Sequence, residues 1–193
     1  RLLLQEIRNE LNAFEKNGIR YELSVTMPIS PILKDKIQFD KVLEIVSFVN
    51  MKTYDLNGNW NSYTGHHTPL YTNEEYNLET MSEAKFSVDG VIKHLENTYG
   101  NTIDMTKIII GVAPYTRGWA GVKDDGLNID NPGLYATANS SGVKSADGTF
   151  SGIYGFNELH TLIKQFNLLE YFDNTAKAAY YYSPTNGIFF TCD

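Results

Sequence analysis

The chain has 193 residues, 42% of them hydrophobic and 20% charged, the balance of an ordinary globular protein with length for one good core or a core plus a small module. A formal charge of −7 leaves no basic field for phosphates, which argues against nucleic acid and anionic membrane as partners. The lone Cys192 rules out an internal disulfide and a cysteine-based zinc site, and no run approaches the roughly 18 apolar residues of a membrane span.

The chain opens on "RLLLQEIRNELNAFEKNG", where Leu4, Ile7, Leu11 and Phe14 recur at helical spacing and Gly18 supplies a stop. This predicts a helix over Leu2–Asn17. With no Met, no N-cap residue and no signal peptide ahead of it, the chain reads as a piece of something longer. An extended run, Arg20 to Ser30, follows. A short helix over Phe39–Glu44 then feeds the strand "IVSFVNMKTY". Beyond a polar loop, Phe86, Val88, Val91, Ile92, Leu95 and Tyr99 form one stripe of a helix over Ser82–Tyr99, which delivers the strand "KIIIGVAPY". The second and third strands are nearly continuous apolar runs, as suits a parallel sheet covered on both faces. Helix and strand alternate, so the chain is α/β, either a doubly wound sheet or a barrel. Three strands are too few to finish either.

After Trp119 the pattern changes. Residues 120–152 are rich in Gly, Asn, Ser and Asp and read as loop and short strands. An amphipathic helix over Phe156–Phe166 follows. The segment "KAAYYYSPTNGIFFTCD" then reads as two strands around a Pro-Thr-Asn-Gly hairpin. Residues 1–119 are therefore expected to form one unit and residues 120–193 a separate α+β module.

In parallel α/β sheets, ligands gather where the strands end. Tyr54 and Asp55 stand where the second strand leaves the core, and Tyr115 and Arg117, in "PYTRGW", at the corresponding end of the third. Two phenols, a carboxylate and a guanidinium suit a ligand bearing hydroxyl and amide groups, with Trp60 and Trp119 as stacking faces. Plainer readings exist for each. Asp55 with Asn57-Gly58 also spells a turn, Arg117 a surface ion pair, Trp60 a cover for the rim, and Trp119 packing for the module. The abundant tyrosines also fit a Tyr-rich core and hairpin. His66 and His67 have no third ligand spaced to join them and read as solvated or capping residues rather than a metal site. Lys123–Asp130 is too irregular for a calcium loop. Asn139-Ser140-Ser141 is a formal glycosylation sequon.

"FVNMKTYDLNGNW" resembles the family-18 glycoside hydrolases, chitinases and their relatives, in which a Met-x-Tyr-Asp-type motif closes a barrel strand. "KIIIGVAPYTRGWAGV" is similar to the family's Tyr-Gly-Arg strand end, and the module after it resembles the insertion of bacterial chitinases. The resemblance spans the whole chain in order. It implies strands five to seven of a (β/α)8 TIM barrel plus the insertion module, with no cofactor and no metal. It also implies retaining hydrolysis of β-1,4-linked N-acetylglucosamine polymers (chitin or chito-oligosaccharides) assisted by the substrate's own acetamido group. Tyr54 and Asp55 take the catalytic places, while Trp60, Tyr115 and Arg117 take substrate-binding places. Other implications are a secreted setting and partnership with the remaining barrel strands, from the same parent protein or another chain.

The departures carry weight too. The Asp-x-x-Asp-x-Asp-x-Glu run that holds the family's catalytic acid does not occur in these residues. The chain alone is therefore expected to be inactive, and a chitin-binding lectin or scaffold stands as the alternative. Lys52 occupies a place usually held by Met, Thr116 replaces the Gly of Tyr-Gly-Arg, and Pro114 replaces a common Met.

Overall fold

A computed structural model describes the chain apart from residues 17, 34–35, 74–85, 127, 140–141, 145–147 and 149–151 and the side chains at 31 and 33. The second and third residues of the glycosylation sequon fall among these, as does the start of the helix expected at Ser82. The chain divides into two compact units, Arg1–Thr53 with Val91–Gly111, and Tyr54–Gly90 with Val112–Asp193.

The first unit is built on three parallel strands, β1 (Ser24–Pro28), β2 (Phe48–Lys52) and β3 (Ile108–Ile110), with β2 in the middle. Helices α1 (Leu2–Phe14), α2 (Ile29–Leu33), α3 (Phe39–Ile45) and α4 (Val88–Tyr99) alternate with them. The core is one-sided. Met27, Val49 and Met51 are buried, as are Phe39, Val42, Leu43, Val91 and Leu95 from the helices and Val46 just past α3. Asn50 and Lys52, at the alternate positions of β2, belong to the opposite and less buried face, so Lys52 is not packed among the apolar core residues.

Local chemistry sets several boundaries. Helix α1 stops at Phe14, earlier than its periodicity predicts, because Glu15 is already extended and Gly18 adopts φ 76°. Its apolar stripe is only half covered, and its one buried residue is Arg8. That guanidinium donates to the Tyr21 and Ile45 carbonyls at 2.8 and 3.1 Å and to Ser47 Oγ at 3.0 Å, tying down the chain where it enters β2. Lys107 Nζ donates to Leu43 O at 2.7 Å and Val46 O at 3.1 Å, satisfying carbonyls at the end of α3. Ser87 Oγ accepts from Gly90 N at 3.0 Å, an N-cap contact that marks the start of α4. The expected long third strand pairs only over three residues. Past it, Gly111 N donates to Met51 O at 2.9 Å and Thr53 Oγ to Gly111 O at 2.8 Å.

The second unit carries a five-stranded antiparallel sheet, built from β4 (Arg117–Lys123), β5 (Thr137–Asn139), β6 (Leu169–Asp173), β7 (Ala178–Ser183) and β8 (Ile188–Thr191) in the order β5-β4-β8-β7-β6. Alternation along β7 and β8 separates two cores. Tyr180, Tyr182 and Phe189 join Trp119, Val122 and Leu134 on one face. Tyr181 and Phe190 join Val143, Leu159, Leu162 and Leu168 on the other, where α5 (Leu159–Phe166) packs. The predicted hairpin forms, with Ser183 opposite Ile188 and Gly187 N donating to Ser183 O at 2.8 Å. Gly187 sits at φ 60°, the left-handed turn position that favours glycine.

The segment after Thr53 is stitched to this sheet. Thr64 N donates to Ala136 O at 2.9 Å, Ala138 N to Ser62 O at 2.8 Å, and Tyr71 N to Ala176 O at 3.0 Å. Among the described residues no helix is long and apolar enough to cross a membrane.

Candidate functional site

All five residues singled out from the sequence belong to the second unit, and four of them share one constellation around Asp55. Asp55 follows β2 by three residues and has φ 58°, a conformation costly for a residue with a Cβ and one of four such positions among the described residues. Its Oδ1 accepts from Tyr115 Oη at 2.8 Å and from Arg117 Nε at 2.9 Å, and Arg117 Nη2 also lies 2.8 Å from it. Each of these donors approaches the same oxygen.

The electrostatics follow from that crowding. Partial burial works to raise the Asp55 pKa, but the His67 imidazole, the Tyr115 hydroxyl and the Arg117 guanidinium outweigh it and hold the carboxyl well below the usual carboxylate range. The Tyr115 phenol is pushed well above its ordinary value by burial and by the Asp55 charge it donates to. At neutral pH the pair is therefore a carboxylate and an intact phenol. Neither is a carboxylic acid with a proton to give.

Aromatic groups frame the ion pair. The Arg117 guanidinium carbon lies 5.0 Å from the Trp60 ring centroid and 5.7 Å from that of Tyr115. Trp60 keeps 49% of its surface exposed, so it remains available for stacking. Tyr54 meets Tyr115 edge-on, with centroids 6.3 Å apart. Gly58 makes room for the indole: a Cβ there would stand 2.3 Å from Trp60 Cζ3.

The turn reading of Asp55 to Gly58 proves compatible with a site. Asn61 N donates to Gly58 O at 2.9 Å, and Asn57 Oδ1 accepts from Gly58 N at 2.9 Å and from Asn61. The turn is what brings Trp60 back over Arg117. Trp119 is fully buried, edge-on to Phe189 with centroids 5.7 Å apart, and is packing rather than a stacking face. Thr116 is buried and donates from Oγ to Gly152 O at 2.9 Å, turned away from the ion pair. In the loop Lys123–Asp130, Asp124 spends its carboxylate on the backbone, accepting from Gly126 N at 3.0 Å and Gly133 N at 2.9 Å.

The expectation that His66 and His67 are solvated or capping is corrected by their burial, 4% and 0% exposed. His66 Nε2 stands 3.3 Å from Asp173 Oδ2 and Nδ1 3.6 Å from Asp193 Oδ2, joining three segments far apart in sequence. His67 Nδ1 stands 3.8 Å from Asp55 Oδ1, and its ring packs on Tyr115 with centroids 5.4 Å apart. Sequence reasoning missed both because two adjacent histidines in a polar loop carry no periodic signal of burial. Their small neighbour is the one clue, since a Cβ on Gly65 would meet Asn57 Nδ2 at 1.9 Å. Among the described residues no group of three or more His, Cys, Asp or Glu is placed to hold a metal ion.

The sequence matches the profile of Glycosyl hydrolases family 18 over residues 1–193. The chain belongs to that family. It is 29% identical over 197 residues to Chitinase A1 of Niallia circulans, covering 100% of this chain and 26% of that protein. Chitinase ChiA74 from Bacillus thuringiensis superposes with a TM-score of 0.79 at 27% identity, covering 100% of this chain and 31% of that one. A family-18 N-acetylglucosaminidase from Paenibacillus barengoltzii does so with a TM-score of 0.76 at 28% identity, covering 100% and 50%. The chain spans 26%, 39% and 31% of the lengths of the first three curated relatives. The family fold makes the three parallel strands and their helices part of a (β/α)8 TIM barrel, with the antiparallel sheet as the α+β module.

Proposed function

We propose that the chain serves a glycoside hydrolase that cleaves β-1,4-linked N-acetylglucosamine polymers with retention of configuration. The observation that carries this reading is the convergence of Tyr115 and Arg117 on one oxygen of an ionised Asp55, beside a half-exposed Trp60. An ionised carboxylate with one oxygen already satisfied is suited to accept from a sugar's amide N–H or hydroxyl through the other. Tyr54 donates its hydroxyl to the acetamido carbonyl, whose oxygen attacks the anomeric carbon. Trp60 stacks on the leaving-group side, and Tyr115 and Arg117 bind the sugars. The proton for the leaving oxygen comes, in this reading, from a Glu upstream of these 193 residues, since the family's acidic run does not occur within them. We read residues 1–119 as the barrel portion and 120–193 as the inserted module, in a secreted protein.

The test is digestion of chitotriose and colloidal chitin by the longest polypeptide that carries these residues, with the anomer of the first product read by NMR. The β-anomer is expected; an α-anomer would refute retention. The 193-residue chain alone is expected to give no product, and turnover by it would overturn the assignment of the acid.

A second reading has its own support. The groups placed to grip a sugar are present here while Asp55 is held ionised, so the same constellation serves a lectin that binds without cleaving. Tight chitotriose binding with no product from the longer polypeptide selects that reading.

The chain also needs its remaining barrel strands. β1 and β3 are both edges of the three-stranded sheet, and Ile109, Ile110 and Val112 are 45%, 37% and 83% exposed. A cooperatively melting monomer of the isolated chain would contradict this.

A further inference from the structure

His67 is a buried polar side chain beside Asp55 that the proposed chemistry leaves unused. It is fully buried, and neither ring nitrogen has a hydrogen-bond partner among the described residues. Buried polar groups are almost always satisfied, so an exception of this kind asks for a reason. Its surroundings supply one. Leu56 N donates to His67 O at 2.9 Å, pinning the His67 backbone beside the strained Asp55. The next residue back, His66, is held between Asp173 and Asp193. Among the described residues, the groups facing the His67 ring are Asp55, at 3.8 Å, and the Tyr115 ring, and Arg117 holds the same Asp55 oxygen.

We infer that His67 is a positioning residue for Asp55, its Nδ1–H directed at Oδ1 so that the carboxylate cannot pivot and Oδ2 stays free for the ligand. Tyr115 and Arg117 both belong to the chain from β3 onward and hold Oδ1 from that segment. A carboxylate held from one segment can still rotate about its terminal torsion, which is broad. His67 comes from the loop that follows Asp55 and closes the remaining approach. At 3.8 Å the contact is too long for a hydrogen bond. A shift of about 0.7 Å by either partner brings it within that range, so the imidazole acts as a backstop that engages when Asp55 is pulled on. The role of Oδ2 rests on the proposed function; the contact between His67 and Asp55 does not.

The decisive measurement reads His67 itself. Long-range 1H–15N spectra identify which ring nitrogen carries the proton in the neutral imidazole. An exposed histidine prefers the proton on Nε2, whereas an Nδ1 facing a carboxylate carries it there. The native protein is expected to show the Nδ1–H form for His67, and Asp55→Asn to lose it. The Nε2–H form in both proteins overturns the inference. A second arm measures chitotriose affinity. His67→Phe keeps the ring against Tyr115 but removes both nitrogens, and is expected to weaken binding about tenfold. His67→Asn returns an N–H near the place of Nδ1 and is expected to recover most of that loss. Equal affinity of the native and Phe proteins overturns the inference. If the native protein does not bind chitotriose at all, the functional reading fails, and the tautomer still decides the role of His67.

Discussion

Arg117 closes on Asp55 with two of its nitrogens, Nε at 2.9 Å and Nη2 at 2.8 Å, both directed at a single carboxylate oxygen. Residues 62 positions apart thus share one charge-assisted contact, with the guanidinium side chain 13% exposed and the carboxylate 36%. The geometry is side-on to one oxygen rather than a fork across both, so the second oxygen is spared.

Arg117→Lys tests whether that geometry matters. A lysine keeps the charge but has neither the planar donor pair nor the flat face over Trp60. Chitotriose affinity is expected to fall about tenfold, while stability drops by only about 1 kcal/mol because the pair is partly solvated. Calorimetric titration and a urea melt separate the two effects.

Gly58→Ala probes the indole. The added Cβ would stand 2.3 Å from Trp60 Cζ3. Since the ring is half exposed, it yields by swinging off Arg117 rather than by unfolding the loop. Affinity for chitotriose is expected to fall several-fold, accompanied by a shift in tryptophan emission. The melting temperature is expected to stay nearly unchanged, because an exposed cation–π contact contributes only about 0.5–1 kcal/mol.

Gly152→Ala is expected to be severe. Gly152 has φ 66°, and a Cβ there would stand 2.4 to 2.5 Å from backbone atoms of Gly118, which cannot move aside as a side chain can. Gly118 lies between Arg117 and Trp119 on β4. The expected cost is about 3 kcal/mol or more, read as a lowered urea midpoint. A change under about 1 kcal/mol would contradict the close approach of Gly152 to the Gly118 backbone.

Asp173 sets an acid-sensitive component of stability. Burial works to raise its pKa, but His66, the Ala176 N–H and Asn73 outweigh it and hold the carboxyl at about 2. Its folded value lies below the unfolded one, so the stabilisation is present above about pH 4 and is lost as pH falls toward 2, amounting to roughly 1–2 kcal/mol. In the longest polypeptide that carries these residues, Asp173→Asn is expected to be less stable than the unsubstituted protein at pH 6 and to lose that difference at pH 2. Urea melts at the two pH values provide the check.

Much of the local structure was legible because it depends on neighbours in sequence. The stripe from Val91 to Leu95 buries as its helical spacing requires, and Pro-Thr-Asn-Gly makes the hairpin between β7 and β8. Tyr115, Arg117 and Asp55 could be grouped because adjacent parallel strands end on the same side. Boundaries were less legible: the end of α1 depends on the backbone at Glu15, and the third strand is short because few of its residues have a partner to pair with.

The amino-acid order by itself determined the alternation of helices and strands, the family, and which polar residues to group, since each is written in periodicity or in a contiguous motif. The expectation that Tyr115 and Arg117 end the third strand is corrected, because that strand stops at Ile110 and Arg117 opens β4. Only the tertiary structure decided that His66 and His67 are buried, that Trp119 packs while Trp60 stays open, and that Tyr115 and Arg117 converge on Oδ1 of Asp55. Those outcomes depend on side chains 50 to 130 positions apart meeting in space, and no local pattern encodes a long-range contact of that kind.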